Sequence, residues 1–191
     1  MKRAKDWGIT VESTDEDVSS ITSFTPPMQG QNVVYTAQKL GDKADVKKLI
    51  TVDKKMTMHI YAVGEGRRKD GMFDYGWIVN SETREPIWEM TPKNLDFAGG
   101  AIKNLKFDGN LQFEKGKYEL HFVTDETHSC DDWNASPPSD PLKYGIEFSV
   151  QSEDDKKDVH FSDMAENMFD KNVIVRITKI GEDRKSTRLN S

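Results

Sequence analysis

A single cysteine, Cys130, stands in a chain of 191 residues. One thiol excludes an internal disulfide framework and a zinc site built from several thiolates. A reactive thiol needs a nearby cation or base, so Cys130 reads as a small loop side chain. No apolar run approaches the ~20 residues that a membrane helix requires. Positive charge is also short: 27 Lys and Arg face 33 Asp and Glu, a net of −6. Such a balance disfavours sequence-independent binding of nucleic acid, which needs cations facing phosphate. It disfavours a polybasic membrane contact for the same reason.

What is present includes a terminal string that does not read as protein. Residues 183–191, DRKSTRLNS, resemble the frame translation of a widely used sequencing-library adapter. They are set aside as a non-native tail, so the natural sequence is expected to break off near Glu182, where the read stopped. Without them Lys and Arg number 24, Asp and Glu 32, and the net becomes −8. Self-similarity appears in what remains. NVVYTAQKLGD at 32–42 and NVIVRITKIGE at 172–182 share four of eleven positions, and WGITV at 7–11 aligns with YGIEF at 144–148. Their order is that of a tandem array. Residues 1–13 are expected to be the last strand of a preceding repeat, 14–31 a linker, and 32–150 one complete unit. Residues 151–171 would be a linker with a short helix, and 172–182 the first strand of a truncated following repeat. The helix is placed near 163–170, because Phe161, Met164, Ala165, Met168 and Phe169 form a stripe at helical spacing. Asp163 and Glu166 have the spacing of a capping box.

The complete unit is written in period two, the signature of strands with one buried face. Met56, Met58, Ile60 and Ala62 alternate with Thr57, His59 and Tyr61. Tyr118, Leu120 and Phe122 alternate with Glu119 and His121, and Tyr144, Ile146, Phe148 and Val150 share one parity. Further strands are expected at 33–40, 46–52, 76–80, 86–90, 102–107 and 111–113, the last two joined by a hairpin turn at Asp108-Gly109. Residues 94–99 suit a single helical turn. Eight or nine short strands with frequent turn signals predict an all-β fold. Its form is an antiparallel two-sheet sandwich, jelly-roll or immunoglobulin-like, with one short flanking helix.

Three segments carry a resemblance: GEGRRKDGMFDYGWIVNSETREPIWEM, FAGGAIKN and GKYELHFVTDETHSCDDWNASPPSDP. Together they are similar to a family of uncharacterised bacterial sandwich modules that recur in large exported or surface proteins. The run Leu111, Phe113, Gly116, Tyr118 more weakly resembles jelly-roll modules of the pre-peptidase C-terminal type. The resemblance implies a non-catalytic module of an exported protein, extracellular or periplasmic, flanked by sister repeats. It carries over no active site, and Cys130 stands where the family pattern suggests an aromatic.

Chemistry-bearing residues gather in the polar loop 125–141. Asp125, Glu126, Asp131, Asp132 and Asn134 offer oxygens of the kind calcium takes, though not at EF-hand spacing; a solvated acidic loop is the plainer reading. His128 lies among them, and a general-base role would require a nucleophile placed by the fold. His59 and His121 share an outward parity and would make a metal site only on adjacent strands. Trp133, with Tyr75, Trp77 and Trp88, would suit a sugar-stacking platform, while aromatics of this size are commonly core anchors. Gly64-Glu65-Gly66 followed by Arg67, Arg68 and Lys69 fails as a phosphate loop and reads as a mobile basic loop. The expected function is a structural or interaction repeat without catalysis, whose partners are neighbouring repeats, a protein or a glycan. The alternative is a calcium-assisted carbohydrate-binding module using loop 125–141.

Overall fold

The computed structural model describes residues 32–164. These form ten strands: β1 (Val33–Gln38), β2 (Asp45–Val52), β3 (Met56–Arg67), β4 (Gly71–Asn80), β5 (Pro86–Glu89), β6 (Asp96–Phe97), β7 (Asn104–Phe113), β8 (Gly116–Val123), β9 (Gly145–Val150) and β10 (Val159–Asp163). Every pairing is antiparallel. One sheet runs β1-β9-β3-β7-β6 and the other β10-β2-β8-β4-β5. Without the edge additions β6 and β10, two four-stranded sheets remain, and most successive strands pass from one to the other. That is the jelly-roll solution to covering two apolar faces.

Alternation decides which residues fill the space between the sheets. Met58 and Ile60 of β3, with Ile146 and Phe148 of β9, face Ile50 of β2, Ile78 of β4, and Leu120 and Phe122 of β8. All eight are fully buried. At one corner the sheets are continuous, because the end of β3 bends over to pair with β4, opposing Glu65 to Asp74. Gly64 permits the bend: a Cβ there would stand 2.0 Å from the Asp74 carbonyl oxygen. Opposite, β1 and β10 share no ladder, and side chains close the seam. Tyr35 stacks on Phe161 with centroids 4.5 Å apart and planes 6° from parallel.

The structure corrects several expectations. Asp108-Gly109 is no turn, since β7 runs through it and pairs with β3 along its whole length, Asp108 opposite Tyr61 and Gly109 opposite Ile60. A long partner strand outweighs a local turn dipeptide. The domain does not end at 150. After a 3-10 turn at Glu153–Asp158, β10 joins the edge of β2, so this part of the expected 151–171 linker belongs to the sandwich. Phe161 and Asp163 therefore lie in a strand rather than in or beside a helix: Val159 and Phe161 alternate inward against an edge that needs a partner. Residues 94–99 form a turn and the short strand β6 instead of a helical turn. Glu65 and the flanking glycines lie inside β3, and Arg67, Arg68, Lys69 and Asp70 make the tight β3–β4 tip. The strand assigned to 1–13, the linker 14–31, the remaining helix positions from 165 and the repeat strand at 172–182 lie outside the described residues.

Candidate functional site

The loop following β8 folds over one end of the sandwich, and its polar groups bond largely to the β1–β2 connection and to neighbouring side chains. Asp125 Oδ1 accepts from the Thr127 amide at 2.8 Å, and Glu126 reaches Lys43 at 2.8 Å. Asp131 Oδ2 accepts from the Asp42 amide at 3.0 Å, while Ser129 Oγ donates to Asp42 Oδ1 at 2.6 Å. Asp132 is exposed. Of the loop acids, Asp125 alone enters a cluster of carboxylates among the described residues. The structure thus does not gather Asp125, Asp131, Asp132 and Asn134 about one cation position. Burial pushes the Cys130 thiol above its usual value, with Asp131 adding to the effect, and its sulfur donates to the Pro141 carbonyl at 3.2 Å.

Trp133 is half-buried and acts as a wedge. Its ring stands edge-on to Tyr144 at 5.1 Å and to His128 at 4.9 Å. With Val63, Ala98 and Tyr144 it forms a small apolar cluster separate from the main core. His128 is fully buried, holds a left-handed backbone at φ 64°, and its Nε2 lies 2.5 Å from Asn104 Oδ1. Burial, then the Lys103 charge, lower its pKa and favour the neutral ring. Asn104 donates to the carbonyls of Gly99 at 2.8 Å and Ser136 at 3.0 Å, tying two loops together. Gly100 completes this suture. Its φ is +68°, and a Cβ there would meet the Pro137 carbonyl oxygen at 1.8 Å.

Beneath the loop lies a charged cluster made by strand pairing. Glu65 and Asp74 are cross-strand partners, both buried, and Asp125 joins them with the candidate ligand oxygens of the three within 4.8 Å of one another. Lys103 supplies the nearest cation, 2.7 Å from Glu65 Oε1, and also donates to Asn134 Oδ1 at 2.6 Å. Asp74 accepts from the Asp125 amide at 2.7 Å and from the Tyr144 hydroxyl. Burial pushes its carboxyl up to about 7; the two hydrogen bonds oppose that shift, and Asp125 and Glu65 add to it. Burial also raises Glu65 against the pull of Lys103. Glu65 Oε2 has no hydrogen-bond partner among the described residues.

Two other surfaces complete the picture. On the outer face of β4 and β8, Tyr75 lies 5.3 Å from Trp77, and Trp77 stacks on His121 at 4.8 Å. Tyr75 and Trp77 share this face because they lie two residues apart on β4, while Trp133 stands apart at the polar end and Trp88 is buried against Phe107 in the core. His59 pairs with Asp108 at 2.9 Å, and β3 and β8 lie in different sheets, so no two-histidine metal site forms. Beside the β3–β4 tip opens a groove of about 840 Å³, lined by Pro92, Leu95 and Leu105 and, at the tip, by Arg67, Arg68, Lys69 and Asp70, the last 3.9 Å from Arg67. Ile102 is 89% exposed on it and Phe97 57%.

Sequence reasoning missed Glu65, Asp74, Lys103 and Asn104, and it passed over the groove. Asp74 did leave a signal, because it shares the inward parity of Met72, Gly76 and Ile78 on β4. No helix among the described residues is long and apolar enough to cross a membrane. No protein-family model, curated protein or solved structure matches the chain.

Proposed function

We propose that this domain is a non-catalytic interaction module whose binding face is the groove beside the β3–β4 tip. Its partner is a peptide segment with apolar side chains flanked by Asp or Glu. One observation carries this reading: in a chain of net charge −6, Ile102 and Phe97 stand exposed directly beside three consecutive basic residues. Exposed large apolar side chains grouped around a concave floor mark interaction sites far more than scattered ones do. The basic rim adds steering toward an acidic partner and against a second copy of this acidic chain. Two groups that might suggest catalysis are already committed. His128 is buried on Asn104, and the fully buried Ser129 donates to Asp42.

The test is fluorescence anisotropy on the full chain with a labelled decapeptide alternating Glu with Leu and Phe, and a Lys-for-Glu counterpart. The acidic peptide is expected to bind better, to weaken in high salt, and to lose about tenfold in affinity to Arg67→Glu with Arg68→Glu. Ile102→Asp should abolish binding without lowering Tm, since that side chain is exposed. Equal binding of both peptides, or self-association through the patch in sedimentation, would refute the reading.

A second reading rests on Tyr75 and Trp77, whose half-exposed rings suit stacking on a sugar. It places the carbohydrate on the outer sheet face rather than on loop 125–141. Retention on a glycan panel that disappears in Trp77→Ala would support it.

A further inference from the structure

The groove leaves the charged cluster at the polar end unexplained. Three carboxylates gather there, and Lys103 pairs with one of them, Glu65. Glu65 and Asp74 are cross-strand neighbours, and like charges directly opposite one another destabilise a ladder. A buried carboxylate oxygen without a donor carries a desolvation penalty, and the penalty is larger for a charged group than for a neutral one. Glu65 Oε2 is such an oxygen, on a residue only 4% exposed. Lys103 satisfies the other oxygen and is held in place by Asn134. The unsatisfied atom therefore belongs to the carboxylate that shares the centre of the cluster with Asp74 and Asp125.

The geometry points to a divalent cation site formed by Glu65, Asp74 and Asp125, of the hard, all-oxygen kind that calcium prefers. Donor chemistry separates the candidates. The three carboxylates provide oxygen only, which suits calcium or magnesium rather than zinc or copper. Magnesium keeps several waters in a strict octahedron, whereas calcium accepts six to eight oxygens in irregular array and tolerates carboxylates fixed by a fold. Glu65 and Asp74 are held by the bent end of β3 and its partner β4. Asp125 comes from the loop, is only partly buried, and supplies the path by which an ion enters. The Tyr144 hydroxyl donates to Asp74 Oδ2 and helps to hold that carboxylate in position. Calcium bound here would tie the β8 loop to the β3–β4 hairpin whose tip rims the groove. The site stands whether or not the groove binds a peptide.

The full chain, stripped with EDTA and dialysed, is titrated with calcium chloride by calorimetry and by thermal unfolding at pH 8. A single site per chain and a rise in Tm of several degrees at saturating calcium are expected, with magnesium at equal concentration giving a much smaller rise. Asp125→Asn should remove the calcium response while leaving the metal-free Tm within a few degrees, because its ordering contact, the Thr127 amide on Oδ1, survives the change. Glu65→Gln should remove it as well. Absence of heat and of any Tm shift would overturn the site. So would a calcium response that persists in Asp125→Asn, since the ion would then sit on the exposed acids Glu126, Asp131 or Asp132. Equal shifts with calcium, magnesium and added sodium chloride would show charge screening alone and overturn it too.

Discussion

The body of the sandwich and its polar end are built on the same strands but are held by different forces. In the body, β3 presents Met56, Met58, Ile60 and Ala62 inward, and the facing sheet answers with Ile50, Leu120 and Phe122. Such contacts are non-directional and gain free energy roughly in proportion to apolar area. Past Gly64 the same strand places Glu65 inward, opposite Asp74, and the interior becomes a network of carboxylates, an ammonium, amides and a neutral imidazole. Such an interior is stable only while every member keeps its partner. A fold tolerates this arrangement where it serves something other than packing, which is why the polar end rather than the body invites a ligand.

Removing the cation from that end tests the difference most severely. Lys103→Met leaves Glu65 buried with no counter-charge beside two further carboxylates, and should destabilise by about 3–5 kcal/mol in urea unfolding. Adding Glu65→Gln should recover a large part of the loss, because the orphaned charge is gone. If the single variant cost under about 1 kcal/mol, the cluster would be solvated, and the contrast with the body would collapse.

Acidity separates the two regions next. Asp74 titrates near 7 in the fold against 3.8 in an unfolded chain, so the native state holds the proton more tightly. The stability this provides is fully present below about pH 4 and is lost as pH rises through about 7. A gap of roughly 3 units corresponds to about 4 kcal/mol. Denaturation of the EDTA-treated chain should therefore show stability falling across that window. Asp74→Asn, which stays neutral, should flatten the slope and exceed the parent at pH 8. A slope unchanged in Asp74→Asn would assign the titration elsewhere. No substitution in the apolar body should alter it.

Legibility follows the same divide. Period two is enough to place Met58, Ile60, Leu120, Ile146 and Phe148 inward, because packing of this kind depends on the parity of each residue and little else. Asp108-Gly109 and Phe161 were misread because local preference was weighed without the partner strand: β7 crosses the dipeptide to stay paired with β3, and β10 exists to cover the edge of β2. Asp74 was visible as a charge on an apolar parity. Lys103 and Asn104 were not, since they precede or begin a strand and reach Glu65 and His128 only through the fold. Trp133 was singled out as exposed platform or buried anchor; half-buried between His128 and Tyr144, it is nearer the second. Trp133→Ala should cost about 2 kcal/mol, below the 3–5 typical of a fully buried Trp, and should expose the His128 ring. An NMR titration of His128 would then show its pKa rising toward the ordinary value, since burial is the main cause of its depression.

The smallest expected effect concerns the seam that the backbone leaves open. β1 and β10 end opposite sheets, and among the described residues each has one edge without a strand partner, an edge of the kind that recruits other chains. Tyr35 and Phe161 lie face to face across that gap, and Phe148 from the neighbouring β9 packs 5.2 Å from Phe161 and 6.3 Å from Tyr35. An aromatic pair contributes about 0.5–1.5 kcal/mol beyond its buried area, so a double-mutant cycle with Tyr35→Leu and Phe161→Leu should return a coupling in that range. Leucine keeps the seam apolar, which isolates ring pairing from burial. The accompanying signature is kinetic: losing the clasp should quicken amide exchange in β10 before it alters exchange in β3 or β9, because local opening begins at the element with fewest partners. Coupling near zero, with exchange in β10 unchanged, would show that β10 is held by its ladder to β2 alone.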